Sequence, residues 1–99
     1  MSNANARVRR DDAQQRYVLE VNGEELGSAD FKDEGNQRVF THTAVDPSLK
    51  GQGLGSKLVQ EALEDTRGRN RRIVPVCEFV AKYLERHTEY ESSVDWPQQ

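Results

Sequence analysis

The run Lys50-Gly51-Gln52-Gly53-Leu54-Gly55 constrains this chain more than any other stretch. It follows a proline-terminated row of strand formers and opens into an apolar pattern of helical spacing, so three alternating glycines fall at a strand-to-helix junction. Missing side chains there let backbone N–H groups approach a ligand closely and tolerate positive φ. The helix beginning in the loop adds a partial positive charge, so the loop suits a diphosphate. Ser56 and Lys57 can add a hydroxyl and an ammonium group. A glycine-rich turn with no ligand is the plainer reading of the same residues. A Walker loop is excluded, because the order here is Gly55-Ser56-Lys57 and Gly51 lies too close upstream. The dinucleotide fingerprint fits poorly, since serine holds the place of its third glycine and the loop follows a third strand rather than a first.

The elements around the loop are legible. Arg16-Tyr17-Val18-Leu19-Glu20-Val21 alternates Tyr17, Leu19 and Val21 on one face, and Asn22-Gly23 then signals a tight hairpin. A return strand is expected over 26–32 and a turn at 33–36. The third strand, 38–45, is rich in β-branched residues, with Val39, Thr41, Thr43 and Val45 opposing Phe40, His42 and Ala44, a pattern that suits a strand covered on both sides. Asp46-Pro47 ends it. Leu54, Leu58, Val59, Ala62 and Leu63 predict a helix of about four turns, with Gly68 as its stop. Arg72-Ile73-Val74-Pro75-Val76-Cys77 reads as one short strand whose last part, at Pro75, is an edge or a splayed end. Phe79, Val80, Tyr83 and Leu84 mark a second amphipathic helix. The fold class is therefore α/β (α+β): a mixed, mainly antiparallel sheet with a glycine-loop-to-helix crossover joining parallel neighbours and a C-terminal helix.

Ninety-nine residues allow a single core. Residues 1–12 are expected to be a disordered tail, 13–92 the domain and 93–99 a polar tail. A formal charge of −3 with 34% hydrophobic and 31% charged residues is globular composition. The basic residues cluster only at 7–10 and 67–72, which gives no phosphate-backbone stripe for nucleic acid. No apolar run approaches a membrane span or a secretory signal, so the chain is expected to be cytoplasmic. The single cysteine, Cys77, cannot form an internal disulfide, in keeping with a reducing compartment.

Thr43 through Leu58 resembles the acyl-CoA-binding motif of the GCN5-related N-acetyltransferases, in which a valine-bearing strand leads into a glutamine- or arginine-headed glycine loop. Together with 74–80 and 83–90 it is similar to the minimal, roughly hundred-residue branch of that superfamily, and the likeness covers 17–90. Lys50 stands where the motif has arginine or glutamine, so it keeps the charge but not the bidentate fork. Thr88 stands where the branch often has proline. The resemblance implies acetyl-CoA as co-substrate with no metal, and an amine acceptor: a protein lysine, an N-terminus or a small molecule. It also implies a pantetheine arm in a gap between the strands ending at Val45 and Val76, paired with backbone at Thr43 and Val45, with Lys50, Gly51, Gln52, Gly53, Leu54, Gly55, Ser56 and Lys57 around the diphosphate.

For catalysis the resemblance points to Cys77 and Tyr83. Cys77 precedes a helix N-terminus, a position that favours thiolate, but a free cysteine is also a common core residue; in the minimal branch a cysteine at this place is the proposed catalytic group, as acetyl acceptor or as an aid to direct transfer. His42 can take a proton from the amine or from Cys77, or serve as hydrogen-bonded structure. Tyr83 holds the place of the tyrosine that protonates the departing thiolate in larger family members, and it shares the apolar face of its helix. Glu78 reads as a base or a helix-start acid, and His87 as a cation near a helix C-terminus. Three functions stay open: acetyl transfer to a primary amine, acyl-CoA binding without catalysis, and protein interaction through an edge strand.

Overall fold

The computed structural model describes residues 5–97. Five strands, β1 (Ala6–Asp11), β2 (Arg16–Val21), β3 (Glu24–Glu34), β4 (Gln37–Val45) and β5 (Arg72–Pro75), lie in sequence order in one sheet. The first four are antiparallel, and β4 and β5 are parallel, joined by helix α1 (Leu54–Gly68). Helix α2 (Glu78–Arg86) follows β5. The β2–β3 turn has Asn22 at φ +54 and Gly23 at φ +83, the pair a type I′ turn requires.

Both helices cover one face. Tyr17, Leu19, Ala29, Phe31, Phe40 and Ile73 of the sheet meet Leu58, Val59, Ala62 and Leu63 of α1 and Val80, Tyr83 and Leu84 of α2 in one core. The other face carries no helix, and Thr41, His42 and Ala44 are exposed. The expectation of a third strand covered on both sides is thus corrected. The β-branched residues of β4 instead serve a strand with a neighbour on each edge.

Two boundaries also move. Ala6–Asp11, placed in a tail by the sequence, form β1 along β2 from Ala6↔Val21 to Asp11↔Arg16. Backbone pairing along β2 and the packing of Ala6 and Val8 against the core hold this arginine-rich strand, and its arginines also reach acids far along the chain: Arg9 Nε to Glu20 at 2.7 Å, Arg9 to Glu25 at 2.6 Å and Arg10 to Asp65 of α1 at 2.7 Å. At the other end Thr88–Ser93 is a 3-10 turn, Val94 is buried beside Ile73, and Asp95 N–H donates to the Ile73 carbonyl at 2.8 Å. The Asp95 carboxylate accepts from Arg72 and Gln37. Residues 93–95 thus cover the outer edge of β5, so the polar-tail boundary at 93 falls inside the fold. The segments 1–4 and 98–99 lie outside the described residues. Among the described residues no helix is long and apolar enough to cross a membrane.

Candidate active site

The site begins where two strands part. β4 and β5 pair from Gln37↔Arg72 to Phe40↔Pro75, after which β4 runs on to Val45 while the other chain turns into α2. Val76 and Cys77 both donate their N–H to the Phe40 carbonyl, at 3.1 and 2.9 Å. Two local causes produce the parting. Pro75 has no N–H with which to extend the ladder. Thr41 is an extra residue: Phe31 pairs with Phe40 and Asp30 with His42, a bulge that bends β4.

The ladder on the far side shows which backbone groups the parting frees. Asp46 N–H donates to the Leu26 carbonyl at 2.7 Å, so antiparallel alternation puts Ala44 and His42 in the hydrogen-bonded pairs with β3. The N–H and C=O groups of Thr43 and Val45 consequently point the other way, into the gap. Side chains divide differently, because cross-strand partners share a face. Thr43 is opposite buried Ala29, and Val45 packs against the core, so both lie on the helix-bearing face. His42, opposite Asp30, lies on the open face.

Cys77 is half-buried at the N-cap of α2, with its Sγ 3.3 Å from Thr43 Oγ1. His42 reaches the same space through the gap. One cavity of about 410 Å3 is lined by His42, Thr43, Cys77, Glu78, Phe79 and Lys82. Among the described residues no hydrogen bond joins the imidazole to the thiol.

At the other end of the gap the glycine loop opens. A short 3-10 turn, Pro47–Leu49, is set by Asp46, whose carboxylate accepts the Ser48 N–H at 2.8 Å; hydrogen bonding by the Ser48 side chain, then by its N–H, holds the Asp46 carboxyl below its usual value. Gly53 is the N-cap of α1 at φ +72. The first intrahelical bond runs from Lys57 N–H to the Gly53 carbonyl, 3.1 Å, leaving the N–H groups of Gly53, Leu54, Gly55 and Ser56 without an intrahelical acceptor. Gln52 is exposed and folds back on the turn before it, its N–H donated to the Leu49 carbonyl and its side-chain amide to the Ser48 carbonyl. The Lys57 ammonium is paired with Glu61 at 2.7 Å, whereas Lys50 is exposed at the rim of a cavity of about 390 Å3 lined also by Val45, Gly53, Gly55, Ser56 and Phe79.

Phe79 is the residue that the sequence assigned to the core and the structure brings to the site. It is 41% exposed, and it lines both cavities and a third of about 250 Å3 between Ser56 and Tyr83. Its ring packs on the start of α1, where a Cβ on Gly55 would come 2.9 Å from Phe79 Cζ. That close approach is the reason for glycine at 55. A helical wheel could have placed Phe79 at the border of the apolar face of α2, but nothing local marks it as a wall of the gap.

Tyr83 lies beyond Phe79, six residues and about 9 Å of rise along α2 from Cys77, and it does not line the thiol cavity. It is buried, its ring stacked on His87 at 3.9 Å and 12°, while His87 Nδ1 lies 2.8 Å from the Tyr83 carbonyl. Burial first, then the Glu89 carboxylate, pushes the Tyr83 phenol up, so it keeps its proton at neutral pH. The 67–72 arginines sit at the other end of α1, about 20 Å from the glycine loop, and are held by Tyr90, Asp65, Asp33 and Asp95.

A mixed sheet whose parallel strands β4 and β5 part beside a glycine-headed helix defines an α+β domain with an open gap at that helix's N-terminus. Residues 16–94 match the model of the GCN5-related N-acetyl-transferases, and the chain belongs to that family. The fold is similar to the solution structure of a GCN5-like protein from Staphylococcus aureus, with TM-score 0.73 and 22% identity over 97% of this chain and 94% of that one. It is also similar to N-acetylglutamate synthase from Neisseria gonorrhoeae, solved with coenzyme A and N-acetyl-glutamate: TM-score 0.61 and 18% identity over 83% of this chain and 22% of that one. A third likeness is to the ribosomal-protein-S18-alanine N-acetyltransferase of Escherichia coli, with TM-score 0.56 and 19% identity over 73% of this chain and 42% of that one. This chain spans less than half the length of the last two. No curated protein matches it significantly.

Proposed function

We propose that this protein is an acetyl-CoA-dependent N-acetyltransferase that acts on a primary amine, with Cys77 at the reaction centre. The observation that carries the reading is the alignment of two sets of free backbone groups along one gap: those of Thr43 and Val45 on the β4 edge, and the four N–H groups at the start of α1. Amide-bearing pantetheine matches the first set, and a diphosphate matches the second. The Neisseria gonorrhoeae relative, which carries coenzyme A, supports the same choice.

In this reading Gly53, Leu54, Gly55 and Ser56 bind diphosphate through backbone N–H groups, with exposed Lys50 supplying charge at the rim. Thr43 and Val45 hold the pantetheine amides, and Phe79 walls the channel. Acetyl-CoA, when bound, supplies the thioester carbonyl that the acceptor nitrogen attacks. His42, on the open face, is the base that takes the proton from the incoming amine, because Cys77 and Thr43 occupy the opposite face. Cys77, at the helix N-cap, either takes the acetyl group transiently or assists direct transfer.

Calorimetric titration with coenzyme A tests the binding step, with Gly53→Val expected to lose affinity while the chain stays folded. No heat at millimolar ligand would remove the reading. Intact mass after incubation with acetyl-CoA should show a labile acetyl adduct on the wild type and none on Cys77→Ala if the thiol is the nucleophile. Assays against lysine peptides, N-terminal peptides and metabolite amines run beside it detect direct transfer and name the acceptor.

A further inference from the structure

We propose that Asp30 is a positioning residue that holds the His42 imidazole in the tautomer and orientation a base for the acceptor amine requires, an inference that rests on the acetyltransferase reading above. Asp30 lies in the middle of β3, between Ala29 and Phe31, both buried in the core. Its side chain therefore stands on the open face. There it is the direct cross-strand partner of His42 on β4 and of Arg16 on β2. Directly opposed residues have Cβ atoms about 5 Å apart, within reach of a carboxylate-to-imidazole hydrogen bond.

Asp30 Oδ1 is buried and accepts no hydrogen bond among the described residues. A buried carboxylate oxygen without a donor is costly enough that native proteins rarely keep one. Arg16 Nε, on the other side, is also buried without a partner, so neither cross-strand neighbour bonds this oxygen among the described residues, and replacing each neighbour in turn tells which of them it serves. Of the two side chains directly opposite it, His42 is the one that lines the thiol cavity, and a small rotation of its ring would bring a ring N–H to this free oxygen. Its Nδ1 is closer to the backbone than Nε2, so a cross-strand carboxylate meets Nδ1–H and leaves the Nε2 lone pair facing outward. A group hydrogen-bonded to one ring nitrogen fixes which nitrogen is free to accept a proton. The bulge at Thr41 brings this pair to the end of the gap, where His42 lines the thiol cavity.

The test has one spectroscopic and one kinetic arm. Long-range nitrogen–proton correlation spectra of the wild-type protein should show His42 as the Nδ1–H tautomer, the minor form of free imidazole. Asp30→Asn should return it to the Nε2–H-dominated average and lower kcat by about ten- to a hundredfold, part of what a positioned base contributes, with little change in KM for the amine. Asp30→Glu should recover part of the rate, and Arg16→Gln should leave tautomer and kcat unchanged. A wild-type His42 in the Nε2–H form overturns the inference, as does an Asp30→Asn enzyme with normal kcat when His42→Gln is impaired. If His42→Gln is itself fully active, it is the base assignment that fails, and the tautomer spectra still decide whether Asp30 holds the ring.

Discussion

Glycines 53 and 55 are two residues apart, and the structure gives them different reasons to be glycine. Alanine at 53 meets nothing within 4 Å, so its cost is backbone strain alone. A left-handed residue with a Cβ costs about 1–2 kcal/mol, and the stiffer unfolded chain returns about 0.4–1 kcal/mol of that. The net loss is about 1 kcal/mol, which for a domain of this size lowers Tm by about 4–8 °C. Alanine at 55 adopts its φ without strain, but its Cβ arrives 2.9 Å from Phe79 Cζ. The ring is 41% exposed and can swing away, and alanine gains up to about 1 kcal/mol of helix propensity. Gly55→Ala should therefore melt within about 2 °C of wild type. Its damage falls on the gap, because the displaced ring enters the channel between the two cavities. Thermal denaturation followed by circular dichroism, with calorimetric titration of coenzyme A, separates the two. Gly53→Ala should lose both stability and affinity, Gly55→Ala affinity alone, and the double variant Gly55→Ala with Phe79→Ala should recover affinity. A Gly55→Ala protein that melts well below Gly53→Ala, or binds coenzyme A as wild type does, would refute the division.

Arg38 is 4% exposed, bonds Asp33 through two nitrogens and Tyr17 Oη, and lies 4.1 Å from the centre of the Phe31 ring. Arg38→Ala should cost about 2–4 kcal/mol in urea denaturation, below the full buried-pair penalty because Asp33 keeps some water. Acid stability should follow two carboxyls. Asp33 is held below its usual range by Arg38. Burial raises Asp65, but Tyr17 and Arg10 outweigh it and hold it low as well. Depressed folded values stabilise the native state above the unfolded value near 4, so the urea midpoint should fall as pH drops from about 4 downward, less steeply in Asp33→Asn. The opposite limb belongs to Tyr90, which burial, then its bond to Glu64, pushes well up. A raised phenol stabilises below its unfolded value near 10, and that stability should be lost as pH rises past about 10, less so in Tyr90→Phe. Tyr83→Phe should leave kcat within about threefold if the phenol is packing and lower it a hundredfold or more if it is the acid for the leaving thiolate; steady-state kinetics decides.

What the sequence revealed and what it hid follow one rule. The Asn22-Gly23 hairpin, α1 from Leu54 to Gly68 and the break at Pro75 rest on turn chemistry, helical spacing and a missing N–H, all written within a few residues of where they act. β1 was hidden because Arg7, Arg9 and Arg10 read as a solvated run, while the strand is made by its ladder with β2, and the acids its arginines meet, Glu20, Glu25 and Asp65, lie 11 to 55 residues away from them. Val94 was lost in a polar tail for the same reason: its partner is Ile73. In the candidate site the loop and Cys77 were legible from motif and position. Phe79 was not, because its exposure depends on how α2 crosses the start of α1. Nor was the separation of His42 from Cys77, since plain alternation from Phe40 puts His42 with the core, and only the extra residue at Thr41 sends it to the open face.

That extra residue also makes the opening of the gap partly a matter of chain length, beside the missing N–H of Pro75. Removing Thr41 would keep Phe40 opposite Phe31, His42 opposite Asp30 and Thr43 opposite Ala29, so no side chain would change neighbours. What would go is the bend, and a straight β4 would run alongside the turn into α2 and close over its own edge. The channel is thus stored in part as a one-residue surplus, which substitution scanning at position 41 would pass over and a single deletion would remove.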